Sequence, residues 1–218
     1  MIKKIIDFLF PNYCGICDNK INTSYTCEKC SNILECYKER VLMHTASNAH
    51  FDKLLCLFEY SGIMKQKMLE FKFSDKKYIS RTLGELAFKK IKKYDLQADY
   101  LIPVPISKQR MFERGYNQSE YIANFLSEFC KIKVLNNCLI KSRNNSKQSL
   151  LSASERQHNV KNAYAVKNSE KIKGKTIMLI DDIMTTGATI NECAKELKKY
   201  GAKEVIAIAL LYSVRGGI

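Results

Sequence analysis

The segment from residue 177 to residue 190, IMLIDDIMTTGATI, constrains the fold more than any other stretch of the chain. It joins an apolar run to two adjacent acids, and then to a loop with three threonines around a glycine. The apolar run predicts a strand that is buried on both faces, as the strands of parallel sheets are. The acids and the threonines would follow at its carboxyl end, where open α/β sheets form their ligand crevices.

Similar segments flank this strand along the chain. DYLIPVPIS and EVIAIALLY predict two further strands. YNQSEYIANFLSEFC and GATINECAKELKKYG predict helices, the second with Gly201 as its C-terminal cap. Strands and helices that alternate in this way indicate a parallel sheet with crossover connections. We therefore expect an α/β fold with a doubly wound, mostly parallel sheet.

The composition is that of a globular chain. Of its 218 residues, 46% are hydrophobic and 27% are charged, which excludes the intrinsically disordered class. The apolar runs are too short to span a bilayer, which excludes a transmembrane protein. At the N-terminus, MIKKIIDFLFP contains Asp7 and lacks a small-residue cleavage site, so it predicts a short amphipathic helix instead of a signal peptide. We expect the protein to be cytoplasmic.

The charge balance indicates an anionic partner. The chain has 36 Lys and Arg residues against 22 Asp and Glu residues, and its formal net charge is +14. Such an excess favours binding to nucleic acid, to phosphates or to a membrane surface, and it does not choose among them.

Four of the nine cysteines have the spacing of a zinc site. The pattern C-x2-C-x9-C-x2-C is formed by Cys14, Cys17, Cys27 and Cys30. Two C-x-x-C turns close a tetrahedron around one zinc ion, and four thiolates leave no open position, so the site would be structural. Cys36 is an alternative ligand. We expect residues 1–40 to form a zinc-binding module with an N-terminal helix, and residues 41–218 to form the main domain.

The loop after the two acids is suited to a phosphate group. Gly187 opens the following helix, whose first backbone N–H groups and positive dipole end attract anions. Further hydroxyl donors are Thr185, Thr186 and Thr189. Asp181 and Asp182 would repel a phosphate, but they can accept hydrogen bonds from neutral hydroxyl groups nearby. A ligand with a phosphate at one end and a diol at the other, such as ribose 5-phosphate, fits both sets of residues.

Other phosphate sites fit the sequence less well. The letters GKT at residues 174–176 match the end of a P-loop, but the first glycine of that motif would fall at Ser169. That segment also precedes a strand instead of following one. The sequence has no G-x-G-x-x-G, and the paired acids of phosphoacceptor receiver domains follow the first strand. Two acids at an ordinary strand end, without a ligand, remain the alternative.

The segment 177–190 resembles the phosphoribosyl pyrophosphate motif of type I phosphoribosyltransferases. The resemblance implies phosphoribosyl pyrophosphate as the ligand, together with Mg²⁺. It implies that Asp181 and Asp182 hold the ribose hydroxyl groups. The residues implied to hold the 5-phosphate are Thr185, Thr186, Gly187, Ala188 and Thr189.

Two further segments resemble the ComF family of competence proteins. One is PVPISKQRMFERGYNQ at residues 103–118, and the other carries Gln148, Leu151, Arg156 and Asn159. That family joins an N-terminal cysteine module to a phosphoribosyltransferase-like domain, in the order seen here. The resemblance implies a role in DNA uptake during natural transformation, with single-stranded DNA and proteins of the uptake machinery as partners. Leu150 departs from the small residue expected at its position.

The two phosphates on C1 of such a ligand need cationic partners. The loop after the LIPVPI strand would be the neighbouring loop at the carboxyl edge, and its candidates are Ser107, Lys108 and Arg110. Arg114 is a weaker candidate. The alternative interpretation of Lys108 and Arg110 is that they are solvated surface charges. Mg²⁺ would be held mainly by ligand oxygens and water.

Two basic tracts, residues 65–93 and 131–175, predict that the protein binds single-stranded nucleic acid without sequence preference. Phe112, Tyr116 and Tyr121 are candidate platforms on which bases could stack. The candidate nucleic-acid contacts are Arg114, Tyr116, Arg143, Lys147, Arg156 and Lys161. The alternative is that Tyr121 belongs to the core and that the lysines are merely solvated.

Three functional classes follow from these features. The first is a ComF-type protein that binds phosphoribosyl pyrophosphate and single-stranded DNA. The second is a salvage phosphoribosyltransferase that transfers ribose 5-phosphate to a small nucleobase, but no segment predicts a base-binding insertion. The third is a scaffold with a vestigial site, which the intact acids and threonines disfavour.

Overall fold

The computed structural model describes residues 12–22, 24–42, 49–142 and 162–213. The helix predicted at the N-terminus lies outside these ranges. Outside them as well lie Gln148, Leu150, Leu151, Arg156 and Asn159.

The described residues form ten strands and six α-helices. The strands are β1 (Asn12–Tyr13), β2 (Lys20–Ile21), β3 (Arg40–Leu42), β4 (Lys53–Glu59), β5 (Tyr100–Pro103), β6 (Lys133–Val134), β7 (Leu139–Lys141), β8 (Tyr164–Val166), β9 (Thr176–Met184) and β10 (Glu204–Tyr212). The helices are α1 (Glu28–Glu35), α2 (Gly62–Phe73), α3 (Ile79–Lys93), α4 (Lys108–Arg114), α5 (Gln118–Cys130) and α6 (Ala188–Lys199).

Six strands form the central sheet, in the order β3-β4-β10-β9-β5-β6. All neighbours are parallel except β3, which pairs antiparallel with β4. β9 lies inside the sheet, with Met178 beside Ile206 of β10 on one side and Leu101 of β5 on the other. This arrangement confirms the predicted α/β fold with a mostly parallel sheet.

Both faces of β9 are buried, as its apolar run predicts. Met178 and Ile180 belong to a core shared with α2, α3 and α5. Ile177 and Leu179 point to the opposite face and belong to a second core, shared with α6. Because side chains alternate along a strand, helices on both faces are needed to cover such a run. The carboxyl end of β9 therefore emerges between two packed layers.

The cysteine-rich segment packs on α3 and shares the first core. The buried residues that it contributes are Cys14, Ile16, Cys30 and Leu34. The N–H of Gly15 donates to Oγ1 of Thr82 at 3.1 Å, and the N–H of Tyr25 donates to Oε2 of Glu85 at 2.8 Å. Polar and apolar contacts thus join the module to the main domain, and the domain boundary at residue 40 stays a prediction.

A separate antiparallel pair, β7 and β8, lies against the second core. Leu139 and Tyr164 are buried there together with Ile190 and Cys193 of α6. Lys141 is the register partner of Tyr164, so the two residues are held side by side at one end of the pair.

Candidate functional site

The two acids lie within β9 and not after it, because β9 continues to Met184, which pairs with Tyr212 of β10. Asp181 is only 7% exposed. Its Oδ1 accepts hydrogen bonds from Oγ of Ser119 at 3.4 Å and from the N–H of Asp182 at 2.9 Å. Burial, and after it the charge of Asp182, raises the pKa of Asp181 to about 7. Asp181 is therefore a poorly solvated acid that a donor or cation in the site would favour in its charged form.

Asp182 has a cationic partner that the sequence did not indicate. Nζ of Lys72, in the last turn of α2, lies 2.6 Å from Oδ2 of Asp182. Both side chains are largely buried. No sequence motif surrounds Lys72, so only the packing of α2 beside the end of β9 shows this contact.

Residues 185–189 form the turn into α6. Gly187 is the N-cap of α6 and has a φ of 74°, in the left-handed region that favours glycine. Oγ1 of Thr186 accepts the N–H of Ala188 at 3.4 Å, and the carbonyl of Gly187 accepts the N–H of Asn191. The first turn of α6 thus places backbone N–H groups at the positive end of the helix dipole, an arrangement suited to an anion.

A cavity of about 280 Å³ joins the acid pair to this turn. The charged residues that line it are Lys72, Arg110, Arg114, Lys141, Asp181 and Asp182. Its polar lining residues include Ser119, Tyr164, Thr185 and Thr189. Four cations and two carboxylates around one cavity suit a ligand that carries both phosphate groups and hydroxyl groups.

The predicted candidates for the pyrophosphate separate into two groups. Arg110 and Arg114 line the cavity, whereas Ser107 and Lys108 do not belong to its lining. The predicted loop is present but short: it spans residues 104–107, and Lys108 and Arg110 lie in α4. Ser107 is the N-cap of α4, and its Oγ accepts the N–H of Arg110 at 3.2 Å. Lys108 is exposed in the first turn of α4.

Lys141 is a cavity residue that sequence reasoning missed. Its Nζ lies 5.5 Å from the centroid of the Tyr164 ring, and burial together with the charge of Arg110 lowers the pKa of Lys141. A partly desolvated cation of this kind is stabilised by an anionic ligand. The sequence shows only an isolated lysine at the end of a short strand.

Arg114 joins the cavity to an exposed aromatic ring. Its guanidinium carbon lies 5.2 Å from the centroid of the Phe73 ring, and its Nη1 donates to Oε1 of Gln118 at 3.0 Å. Phe73 is 68% exposed. Phe112 is exposed as well, but residues two apart on a helix diverge by about 200°, so it lies on the other face of α4 from Arg114.

The prediction that Tyr116 is a stacking platform is wrong. Tyr116 is 5% exposed, and its ring centroid lies 5.5 Å from that of Phe71 and 5.0 Å from that of Tyr121. Its hydroxyl donates to the carbonyl of Phe71. The ring completes the core between α2 and α5, so a base cannot reach either face.

The other nucleic-acid candidates, apart from Arg114, lie outside the described residues: Arg143, Lys147, Arg156 and Lys161. In the tract 65–93, many lysines form ion pairs within the protein. Lysines paired with acids are Lys67, Lys72, Lys76, Lys77, Lys89, Lys90 and Lys93. This tract therefore offers less charge to a partner than its sequence suggests.

The four spaced cysteines form one cluster, with all four Sγ atoms within 4.8 Å of one another. Sγ of Cys17 lies 3.7 Å from Sγ of Cys27, close to the edge of about 3.8 Å expected for a tetrahedron with Zn–S bonds of about 2.3 Å. Burial alone would raise the pKa of Cys14, but backbone N–H groups, that of Cys27 foremost, donate to its sulfur and lower the pKa to about 7. The cluster is therefore compatible with a zinc site. Cys36 lies outside it, with its Sγ 3.8 Å from the carbonyl oxygen of Asn32.

Comparison with known proteins identifies the family. Residues 122–217 match the phosphoribosyl transferase domain. Competence protein F of Haemophilus influenzae is 30% identical over 198 residues, which cover 88% of this chain and 86% of that protein. The chain belongs to the ComF family.

Other similar proteins carry related names. Competence protein ComFC of Bacillus subtilis is 33% identical over 159 residues, which cover 72% of this chain and 63% of that protein. DNA utilization protein YhgH of Escherichia coli K12 is 28% identical over 160 residues, which cover 71% of this chain and 70% of that protein. Among solved structures, the allosteric regulatory enzyme of purine biosynthesis aligns with 65% of this chain and 30% of its own, at 19% identity and a TM-score of 0.45.

The domain match places several site residues of this ComF protein outside the matched range. Lys72, Arg110 and Arg114 all precede residue 122, whereas the acid pair and the threonine turn lie within the match. In the described ranges, no helix of the ComF protein combines the length and the apolar character needed to cross a membrane.

Proposed function

We propose that this ComF protein is a cytoplasmic protein of DNA uptake that binds phosphoribosyl pyrophosphate and, without sequence preference, single-stranded DNA. One observation supports the binding of phosphoribosyl pyrophosphate: the acid pair, the threonine turn and four cations surround the same cavity. The names of the relatives, which refer to competence and DNA utilization, support the role in DNA uptake and the binding of single-stranded DNA. Proteins of the uptake machinery are the expected protein partners.

Phosphoribosyl pyrophosphate carries three kinds of group that this cavity can bind. The 5-phosphate fits the turn 185–189 at the start of α6. The ribose hydroxyls can donate hydrogen bonds to Asp181 and Asp182. The pyrophosphate on C1 fits the cations that line the same cavity, among them Arg110 and Lys141. Mg²⁺ would be held mainly by the pyrophosphate oxygens and water.

Removal of either carboxylate is expected to weaken the binding of phosphoribosyl pyrophosphate. Asp181→Ala or Asp182→Ala leaves a ribose hydroxyl without its acceptor, a loss of about 1–3 kcal/mol, or roughly 5- to 150-fold in Kd. Isothermal titration calorimetry with phosphoribosyl pyrophosphate and Mg²⁺ measures the change. Glu128→Ala is the matched control, because it removes an exposed carboxylate near the other end of α5. Wild-type affinity in both Asp variants would remove the assignment.

A second assay separates binding from catalysis. A salvage phosphoribosyltransferase releases pyrophosphate when its nucleobase acceptor is present. Small nucleobases can be screened for pyrophosphate release with the unchanged protein, and with Asp182→Ala as the background. Release that depends on Asp182 would favour the salvage alternative over a binding or regulatory role.

The four-cysteine cluster is proposed to hold one structural zinc ion. Its donor set consists of four thiols whose Sγ atoms lie within 4.8 Å of one another, two of them buried, and four thiolates leave no position for a substrate. The ion would join β1 and β2 to α1 and so hold the module in the shape that packs on α3.

Single-stranded DNA is proposed to bind on the face around Arg114. Phe73 there offers an exposed ring beside a cation, the combination that single strands use for stacking and phosphate contact. Since the lysines of α2 and α3 are largely paired with acids, stacking is expected to carry a considerable part of the affinity. The ring of Phe73 takes the place that the sequence had assigned to Tyr116.

Phe73→Ala is expected to lower the affinity for a single-stranded oligonucleotide by roughly 5- to 150-fold, because one stacked base contributes about 1–3 kcal/mol. The salt dependence should stay unchanged, whereas Arg114→Gln should reduce the salt slope by about one. Fluorescence anisotropy at about 50 mM and about 200 mM salt measures both quantities. Tyr200→Ala, at an exposed ring after α6, is the control. If the unchanged protein fails to bind at low salt, the DNA-binding half of the proposal is wrong.

A further inference from the structure

The ion pair between Lys72 and Asp182 reaches the acid pair from a helix outside the matched domain. Nζ of Lys72 lies 2.6 Å from Oδ2 of Asp182, and α2 precedes the matched residues 122–217. The two side chains are 13% and 15% exposed, so water and salt screen this pair less than they screen a surface pair. Lys72 is thus part of the site wall.

The packing of α2 holds Lys72 in position. The helix residues buried in the core are Met64, Met68 and Phe71. On the face toward the cysteine-rich module, Nζ of Lys67 lies 3.1 Å from Oδ2 of Asp18 and 2.9 Å from Oε2 of Glu70. Because Lys72 directly follows a buried ring and lies in the last turn of a helix held in this way, its backbone position is restrained and its ammonium group stays within reach of the cavity.

Two adjacent carboxylates with no counter-charge would attract a divalent cation, since Mg²⁺ and Mn²⁺ prefer oxygen ligands. Here the ammonium group of Lys72 supplies the counter-charge. It neutralises Asp182 directly, and it opposes the effects of burial and of Asp182 on the pKa of Asp181. A metal ion at these oxygens would have to displace Lys72 or lie a few ångströms from it, where like charges repel strongly. The residues present therefore do not fit a divalent ion held by the acid pair itself.

We propose that Lys72 is a positioning residue whose ammonium group supplies the positive charge beside the acid pair and so excludes divalent metal ions from it. A divalent ion then enters the site only together with a phosphorylated ligand. The ligand-dependent part rests on the proposed binding of phosphoribosyl pyrophosphate, whereas the exclusion of metal from the ligand-free protein does not. When ribose hydroxyls donate to Asp182, the ammonium group is released toward the phosphate groups in the same cavity. Asp182 thus has a cationic partner before the ligand binds and hydroxyl donors afterwards.

The test is a titration of the ligand-free protein with Mn²⁺, followed by electron paramagnetic resonance of the free ion. The unchanged protein and Asp182→Asn are expected to bind Mn²⁺ equally weakly. Lys72→Gln should create a Mn²⁺ site at least about tenfold tighter, because the competing charge is gone. Lys72→Arg keeps the charge and should bind Mn²⁺ as weakly as the unchanged protein. The double variant Lys72→Gln with Asp182→Asn should lose the increase in Mn²⁺ affinity. Lys65→Gln, at an exposed lysine of α2, is the matched control.

Two results would overturn the proposal. One is a Mn²⁺ site in the unchanged protein that Asp182→Asn removes, and this comparison does not depend on whether Lys72→Gln folds. The other is a folded Lys72→Gln protein without any gain in Mn²⁺ affinity. If phosphoribosyl pyrophosphate binds and either result is found, only the role of Lys72 is wrong. If the Mn²⁺ results hold and phosphoribosyl pyrophosphate does not bind, the proposed ligand is wrong and the role of Lys72 stands.

Discussion

The Cys14→Ser protein is expected to lose its zinc and to unfold far below the temperature of the unchanged protein. Cys14 is fully buried in the four-cysteine cluster, and its Sγ accepts the N–H of Cys27 at 3.4 Å. Structural zinc contributes about 10–16 kcal/mol of apparent binding free energy in small zinc domains. That range is as large as the whole stability of a typical domain, about 5–15 kcal/mol. The loss of one thiolate should therefore exceed the effect of any single substitution at the phosphate site.

Cys14→Ser should destabilise the main domain as well, because the cysteine-rich segment is part of its core. The module packs on α3, and Thr82 and Glu85 accept hydrogen bonds from the module backbone. When the module unfolds, these acceptors and the apolar surface of α3 are exposed to water. We expect the Tm of Cys14→Ser to fall by at least about 10 °C, which corresponds to a loss of a few kcal/mol in a chain of this size.

Two measurements check this prediction. Metal analysis of freshly purified, reduced protein should find about one zinc per chain, and thermal unfolding followed by circular dichroism gives the change in Tm. Cys36→Ser is the matched control, because it removes an exposed thiol of the same segment that lies outside the cluster. A zinc-free native protein, or equal losses in Tm for Cys14→Ser and Cys36→Ser, would contradict the structural role.

Asp181→Asn is expected to stabilise the protein at neutral and alkaline pH while it weakens ligand binding. Burial, and next the charge of Asp182, raises the pKa of Asp181 to about 7 in the folded protein, whereas an unfolded Asp has a pKa of about 3.9. At a pH well below 3.9 this carboxyl group is protonated in both states and has no effect on the free energy of unfolding. As pH rises from 4 to 7 the unfolded state ionises first, so the stability of the folded state falls. Above the folded pKa the penalty is complete, at up to about 4 kcal/mol.

The asparagine in Asp181→Asn keeps the local hydrogen bonds but has no carboxyl group that could gain or lose a proton. Its Oδ1 can still accept from Ser119 and from the N–H of Asp182, as the Oδ1 of Asp181 does. The difference in the free energy of unfolding between Asp181→Asn and the unchanged protein should therefore grow between about pH 4 and pH 7 and then level off. Urea unfolding of both proteins at four pH values across this range measures it.

The measurement has to compare the free energies of unfolding of the two proteins, because other acids change the stability of both proteins in the opposite direction as pH falls. Burial works against them, but ion pairs and hydrogen bonds lower the pKa values of Asp18, Glu39 and Glu70, so these groups lose stabilising contacts as pH falls. Glu128→Gln, at an exposed carboxyl group, provides the control. A difference between Asp181→Asn and the unchanged protein that is constant with pH would show that Asp181 is not a strained acid. A confirmed difference would mean that the site keeps a destabilising charge for the sake of its ligand.

The architecture could be predicted from local patterns along the chain. Continuous apolar runs such as Ile177–Ile180 require cover on both faces, and the alternation of strands and helices then requires a parallel sheet. The cysteine cluster was predictable for a similar reason, because two C-x-x-C turns bring their thiols together by local geometry. The acid pair and the threonine turn follow from the same local reasoning, since a strand end and a helix start meet at one edge of a parallel sheet.

Predictions that depended on the surroundings of a side chain fared less well. Ser107 reads as a loop hydroxyl that could meet a phosphate, but a serine before a short helix is also an N-cap, and the structure uses it in that way. Tyr116 reads as an exposed ring beside arginines, yet it lies between Phe71 and Tyr121. In both cases the residue type allows two roles, and the neighbours that choose between them belong to the packed structure.

The sequence by itself determined the alternation of strands and helices in the second half of the chain, the buried strand that leads to Asp181 and Asp182, and the cysteine set, because each of these depends on periodicity or spacing over a few residues. Only the tertiary structure decided which charges face one another. Lys72 precedes α5 in the chain and Lys141 follows it, and both line the cavity of the acid pair because crossover connections bring distant strands and helices to the same edge of the sheet. A lysine that pairs with a buried carboxylate and a lysine in water look the same in the sequence, since the difference lies in the solvent that packing removes.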